Sequence, residues 1–162
     1  MTSLSVIIPS YGESRLKKDL IESLVAQTLA PKEVIIVDNN PDPILKPESK
    51  HQFIRVIHEP RPGSYAARNA GVSCATGDIL AFTDADCLPE RKWLEEISKA
   101  VSEHPRSVIG GRVVVGFDQS NSSPTTAEVY DRHFGIQQEH YIQHLGFSVT
   151  ANLAVRRADF DE

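Results

Sequence analysis

Three stretches of the chain, residues 4–9, 34–37 and 79–82, are nearly unbroken apolar runs, and each stops at a polar cluster. A strand with one wet face alternates apolar and polar side chains, whereas an unbroken run is covered on both faces. Residues 53–57, interrupted by Arg55, read as another short strand. Segments with helical spacing lie between the runs. Leu16, Leu20, Ile21, Leu24 and Val25 share a face within 14–27, and small residues fill 65–74. Trp93, Leu94, Ile97 and Val101 share another face after Pro89, which suits a helix first turn. Strands alternating with helices predict an α/β fold, a mostly parallel sheet with helices on both faces. Residues 108–117 and 147–155 read as further strands, 126–138 as a helix, and 41–50, with three prolines, as a loop.

Sheets of this kind take ligands beyond the carboxyl ends of their strands. Those ends carry Pro9-Ser10-Tyr11, Asp38-Asn39-Asn40 and Asp84-Ala85-Asp86, three clusters expected to meet along one edge. On an extended chain, residues two apart point the same way, so Asp84 and Asp86 can face one site. Two close carboxylates repel each other. Mg²⁺ or Mn²⁺, completed by substrate phosphates, removes that penalty. Taken alone, the pair also reads as solvated acids or as caps for the following helix. Asp38 can accept from a base or a ribose, or form a turn. Arg68 can pair with a phosphate or stand as an exposed helix arginine, and Gly63 can open a helix toward a phosphate. Arg15, Arg61 and Arg68 are the candidate cations of a phosphate pocket.

The rest of the sequence excludes more than it assigns. Its 162 residues suit one domain. A net charge of -5 argues against a nucleic-acid partner. No glycine-rich dinucleotide or P-loop motif is present, which sets aside those enzyme classes. The two cysteines, Cys74 and Cys87, read as free thiols in a reducing compartment. The histidines lack metal-ligand spacing, and His133, His140 and His144 read as surface or groove residues. No apolar run is long enough to span a bilayer, so the expected location is cytoplasmic and at most peripheral to the membrane. Membrane association would come only through parts outside these residues or through the acceptor.

In order along the chain, several segments resemble the inverting family 2 glycosyltransferases of the GT-A fold. They are Ser5-Val6-Ile7-Ile8-Pro9-Ser10-Tyr11, Glu33-Val34-Ile35-Ile36-Val37-Asp38 and Pro62-Gly63-Ser64-Tyr65-Ala66-Ala67-Arg68-Asn69-Ala70-Gly71. Thr76-Gly77-Asp78-Ile79-Leu80-Ala81-Phe82-Thr83-Asp84-Ala85-Asp86 follows, and later Thr150-Ala151-Asn152-Leu153-Ala154-Val155-Arg156-Arg157. The resemblance implies transfer of a sugar from a nucleotide-diphosphate sugar, typically UDP-linked, to a sugar, lipid or protein acceptor. Pro9, Ser10, Tyr11, Glu13, Asp38, Arg68 and Asp84 would line the nucleotide pocket. Asp86, with Asp84, would hold Mn²⁺ or Mg²⁺, and Asn152 would lie on the acceptor side. The family's general base falls beyond Glu162, so these residues are expected to be the donor-binding part of a single GT-A domain. A nucleotidyltransferase and a non-catalytic nucleotide-sugar-binding module are the competing readings.

Overall fold

The computed structural model of the chain describes residues 2–12, 18–46, 50–116 and 123–160. Among these, six strands form one sheet in the order β3-β2-β1-β4-β6-β5. They are β1 (Leu4–Ser10), β2 (Glu33–Asp38), β3 (Ile54–His58), β4 (Ile79–Thr83), β5 (Ile109–Gly110) and β6 (Asn152–Arg156). The first four run parallel, and β6 is antiparallel to both β4 and β5.

The unbroken apolar runs serve two cores at once. In β1, Leu4, Val6 and Ile8 face one side with Val34 and Ile36, while Ile7 faces the other with Ile35, Val37 and Leu80. This is the two-residue period of a strand covered on both faces. Helices α1 (Lys18–Val25) and α3 (Trp93–Glu103) cover the first side through Leu20, Leu24, Leu94, Ile97 and Val101. Helix α2 (Ser64–Cys74) covers the second through Ala67 and Val72. Each fully buried leucine or isoleucine contributes about 2–3 kcal/mol. The small residues of α2 let it seat close to the sheet: a Cβ at Gly71 would stand 2.5 Å from the Ile7 side chain. The sheet winds outward from β1 through β2 to β3, then returns through α2 to β4 on the other flank of β1. The winding therefore reverses between β1 and β4, the place where such sheets open a crevice.

Several local expectations change. Helix α3 begins at Trp93 rather than near Pro89, after a turn at residues 91–92. Of the strand expected over 108–117, only Ile109–Gly110 pairs among the described residues, and residue 117 lies outside them. The strand expected over 147–155 is the shorter β6, and it reverses direction. Helix α4 (Thr126–Phe134) stops at Gly135, short of residue 138. A short helix α5 (Gln138–His140) then runs into a π-helical turn, Tyr141–Leu145. Of the helix expected over 14–27, residues 14–17 lie outside the described residues, and the described part ends at Val25.

Candidate functional site

The carboxyl ends of β1, β2 and β3 are tied together by side chains. Asn39 donates its backbone N–H to the Ser10 carbonyl at 2.8 Å and its side-chain amide to the Glu59 and Arg61 carbonyls at 2.6 and 2.7 Å. Asn40 accepts from the Gly12 N–H at 3.0 Å. Its carbonyl takes a hydrogen bond from His58 Nε2 at 2.8 Å, so that nitrogen carries the proton.

Asp38 is fully enclosed, and both its oxygens are in use. Oδ1 accepts from the Asn40 N–H at 3.1 Å and the Asn40 side-chain amide at 2.6 Å. Oδ2 accepts from the Ile44 and Leu45 N–H groups at 2.7 and 2.8 Å. Burial alone would raise its carboxyl, but the donors from Leu45, Asn40 and Ile44 outweigh that and hold it below its ordinary value. In this structure Asp38 is the buried anchor of the 40–45 loop, with its acceptor capacity taken by the chain.

Two of the three candidate cations are described, and both are paired. Arg61 meets Glu59 through Nε at 2.9 Å and Nη2 at 2.7 Å. The guanidinium pushes Glu59 down to about 2. A Glu-Pro-Arg step directly after a strand is the only sequence signal of this pair, and sequence reasoning missed it. Arg68, from the second turn of α2, donates to Asp84 Oδ1 at 2.6 Å. Arg15 and the expected pocket residue Glu13 lie outside the described residues.

Around the β1–β4 crevice, hydrogen-bonding capacity is left over. Ser10 Oγ and Arg68 Nε are buried without a partner. Pro9 is half-buried beside them, while Tyr11 and Tyr65 are 59% and 71% exposed. Gly63, at φ 110°, opens α2 under the Tyr65 ring, which lies where a Cβ would go. That backbone conformation favours glycine.

Asp84 and Asp86 do not lie on extended chain. The Cys87 N–H donates to the Asp84 carbonyl at 3.1 Å and closes a turn over residues 84–87. Ala85 points into the core, Asp84 is half-buried and Asp86 is exposed. Burial pushes the Cys87 thiol up; a hydrogen bond to the Asp84 backbone opposes this, and the charges of Asp84 and Asp86 add to the rise. Among the described residues, no three His, Cys, Asp or Glu side chains group to hold a metal unaided. Mg²⁺ and Mn²⁺ do not require that. One or two carboxylates with substrate phosphates and water suffice, so Asp86 and the second oxygen of Asp84 fit such an ion.

Asn152 stands opposite Thr83, one residue from Asp84 across the β4–β6 pair. Its amide is also committed. Oδ1 accepts from the Trp93 indole at 2.8 Å, and Nδ2 donates to the Arg112 carbonyl at 2.9 Å. It braces α3 and the chain after β5 at the edge of the crevice.

Comparison with known proteins follows the same outline. The sequence matches Glycosyl transferase family 2 over residues 5–162. Glycosyltransferase AglE of Haloferax volcanii is 35% identical over 164 residues, which cover 95% of this chain and 52% of AglE. S. aureus TarS 1–349 shares the fold at a TM-score of 0.61 with 18% identity, over 96% of this chain and 47% of that one. The mannosyltransferase PcManGT from Pyrobaculum calidifontis, in complex with GDP-Man and Mn²⁺, does so at 0.60 with 20% identity, over 97% and 45%. The chain thus spans about half the length of each. No helix among the described residues is long and apolar enough to cross a membrane. Strand order, the reversal of winding between β1 and β4 and a match over nearly every residue agree: the chain belongs to glycosyl transferase family 2 and has the GT-A fold.

Proposed function

We propose that the crevice between β1 and β4 binds a nucleotide-diphosphate sugar, and that the whole protein transfers that sugar to an acceptor. The observation that supports this most is the unmatched pair Ser10 Oγ and Arg68 Nε beside Asp84 and the exposed Asp86. Phosphate and ribose oxygens would complete those donors. PcManGT is in complex with GDP-Man and Mn²⁺, and TarS with UDP-GlcNAc, which favours the same ligand class here.

Each residue then has a task. Ser10, Tyr11 and Pro9 line the nucleotide pocket; Glu13 is given that role by the resemblance alone. Arg68 orients the donor while keeping Asp84 in place. Asp38 shapes the base pocket by holding residues 40–45, instead of offering a free carboxylate. Asp86 and Asp84 would hold Mn²⁺ or Mg²⁺, whose charge stabilises the departing diphosphate. Asn152 keeps the acceptor side of the crevice in shape. The family resemblance implies a base for the acceptor hydroxyl beyond Glu162, and Asp38 and Asp84, bonded to Ile44 and Arg68, are not given that role.

Titration calorimetry with UDP tests the donor reading. Binding should occur with Mn²⁺ and weaken when a chelator is added, and equal affinity in both conditions would refute the metal's role. Turnover tests the assignment of the base. The 162-residue chain should transfer sugar about 10²–10⁴-fold more slowly than a longer version, the usual cost of a missing general base.

A further inference from the structure

Arg68 meets Asp84 with only one prong of its fork. Nε and Nη2 form one edge of a guanidinium, and that edge matches two oxygens at once. Asp84 Oδ1 takes Nη2 at 2.6 Å, while Nε is buried without a partner. Arg61 shows the finished form of this pairing, since its Nε and Nη2 both reach Glu59, at 2.9 and 2.7 Å. A buried donor left unpaired costs free energy, so Asp84 alone is not the best partner open to Arg68. Arg55 carries a similar orphan, but its Nη2 is shared by Glu33 and the Cys74 carbonyl, away from the crevice.

The packing confines any change to the side chain. Arg68 lies between Ala67, which is fully buried, and Gly71, whose Cβ would stand 2.5 Å from the Ile7 side chain. Helix α2 therefore cannot move closer to the sheet. Asp84 follows β4 directly, and the next residue, Ala85, is buried in the core. What is free to change is the partner at the Nε–Nη2 edge.

That choice matters for a cation. The Arg68 side chain is only 16% exposed, so solvent screens its charge poorly. While it sits on Oδ1, Arg68 offsets the charge that Asp84 could offer a divalent ion at Oδ2, and two cations oppose sharing one carboxylate. A diphosphate carries more oxygens and more negative charge than one carboxylate, so it competes for the whole edge.

We propose that Arg68 withholds Asp84 from divalent ions until a diphosphate takes its Nε–Nη2 edge, so that metal and nucleotide bind as a pair. The diphosphate in this proposal rests on the donor reading, whereas the hold of Arg68 on Asp84 is tested without it. By linkage, metal and nucleotide raise each other's affinity by one common factor. Removing the guanidinium should strengthen binding of the ion alone, a gain that loss of a mere brace would not give.

The test follows free Mn²⁺ by electron paramagnetic resonance as the 162-residue chain is titrated, with and without UDP and against a protein-free UDP blank. R68Q should bind Mn²⁺ alone about threefold to tenfold more tightly than wild type, the range for releasing one partly screened charge pair. R68K keeps the charge and should gain less, while losing UDP affinity with the fork. In the D84N background R68Q should bring no gain, because the released carboxylate is gone. UDP should raise the Mn²⁺ affinity of wild type by more than that of R68Q. The packing of Ala67 and Gly71 is untouched in R68Q, and circular dichroism checks its fold; R68M, with a similar stem, should show the same gain. Mn²⁺ binding by R68Q and R68M no tighter than wild type, or an equal gain in D84N, would overturn the proposal. Failure of the donor reading would show separately, as wild type that ignores UDP while R68Q still binds Mn²⁺ more tightly.

Discussion

The two edges of the sheet use similar residues for different ends. At the amino edge, Glu33 Oε1 accepts from Ser5 Oγ at 2.7 Å and from the Thr76 N–H and hydroxyl at 2.6 and 2.8 Å. Arg55 closes on Oε2 at 2.8 Å, and Ser5 Oγ accepts from the Gly77 N–H at 2.8 Å. At the carboxyl edge, Asp38, Asn39, Asn40 and Glu59 build a comparable web, but the Ser10 hydroxyl stays unmatched and Asp86 points to solvent. Each edge leaves one arginine Nε without a partner, Arg55 and Arg68, so orphaned donors alone do not separate them. What separates them is closure. The amino edge is sealed by chain groups and serves as scaffold, whereas the carboxyl edge keeps polar and aromatic groups open around a crevice.

Breaking the sealed edge should cost the most. Glu33→Ala strands Ser5, Thr76 and the Arg55 guanidinium together, and we expect a loss of about 3 kcal/mol in urea unfolding. Affinity for UDP per folded molecule should be unchanged. A selective loss of UDP binding at full stability would mean that the two edges are not separate in role.

Within the carboxyl edge, Asp38→Ala and Asp86→Ala should divide scaffold from site. Removing Asp38 frees the N–H groups of Ile44 and Leu45, so about 2 kcal/mol of stability should go. Asp86 is exposed, and its loss should change stability by less than about 0.5 kcal/mol. Asp86→Ala should instead abolish the Mn²⁺ dependence of UDP binding. If Asp86→Ala keeps that dependence, the ion is held elsewhere.

Gly111→Ala probes the bracing that Asn152 supplies at the edge of the crevice. The added methyl would displace the Asn152 amide, which holds the indole of Trp93, the sole tryptophan. Overpacking of this kind costs about 1–3 kcal/mol, and we expect the low end because residues 111–116 are only partly enclosed. A shift in tryptophan emission should accompany it. An unchanged spectrum would place the methyl where nothing has to move.

These contrasts explain what the sequence made legible. Strands β1, β2 and β4 and the edge that collects Ser10, Asp38 and Asp84 were readable, because solid apolar runs and their polar ends are local patterns. The reversal of β6 was not, since a strand's direction depends on its partner. Residues 111–116 alternate like a strand, but the Asn152 side chain fills the space against Gly111 and no ladder continues. Asp38 was readable as an acceptor from its chemistry, and Asn152 only through the resemblance of its segment. That Leu45 and Trp93 hydrogen-bond to them is visible only in the fold.

Glu59 supplies the smallest expected effect and the finest test of the comparison. It lies on the open edge, yet it is buried and tied to Arg61, whose N–H and guanidinium both reach it. Those bonds push its carboxyl from 4.5 to about 2. A depressed carboxyl adds stability above its unfolded value and loses it as pH falls through the folded one. The contribution should therefore be complete at neutral pH and fade between 4.5 and about 2. Glu59→Gln keeps an acceptor for the Arg61 N–H but drops the charge. Its urea midpoint should lie slightly below wild type at neutral pH, and the gap should close on acidification. Arg61 is largely exposed, so solvent screening keeps the effect small. A gap that stayed constant down to about pH 2 would show that packing, not charge, fixes Glu59 there. The open edge would then hold its own scaffold as the sealed one does, by enclosure.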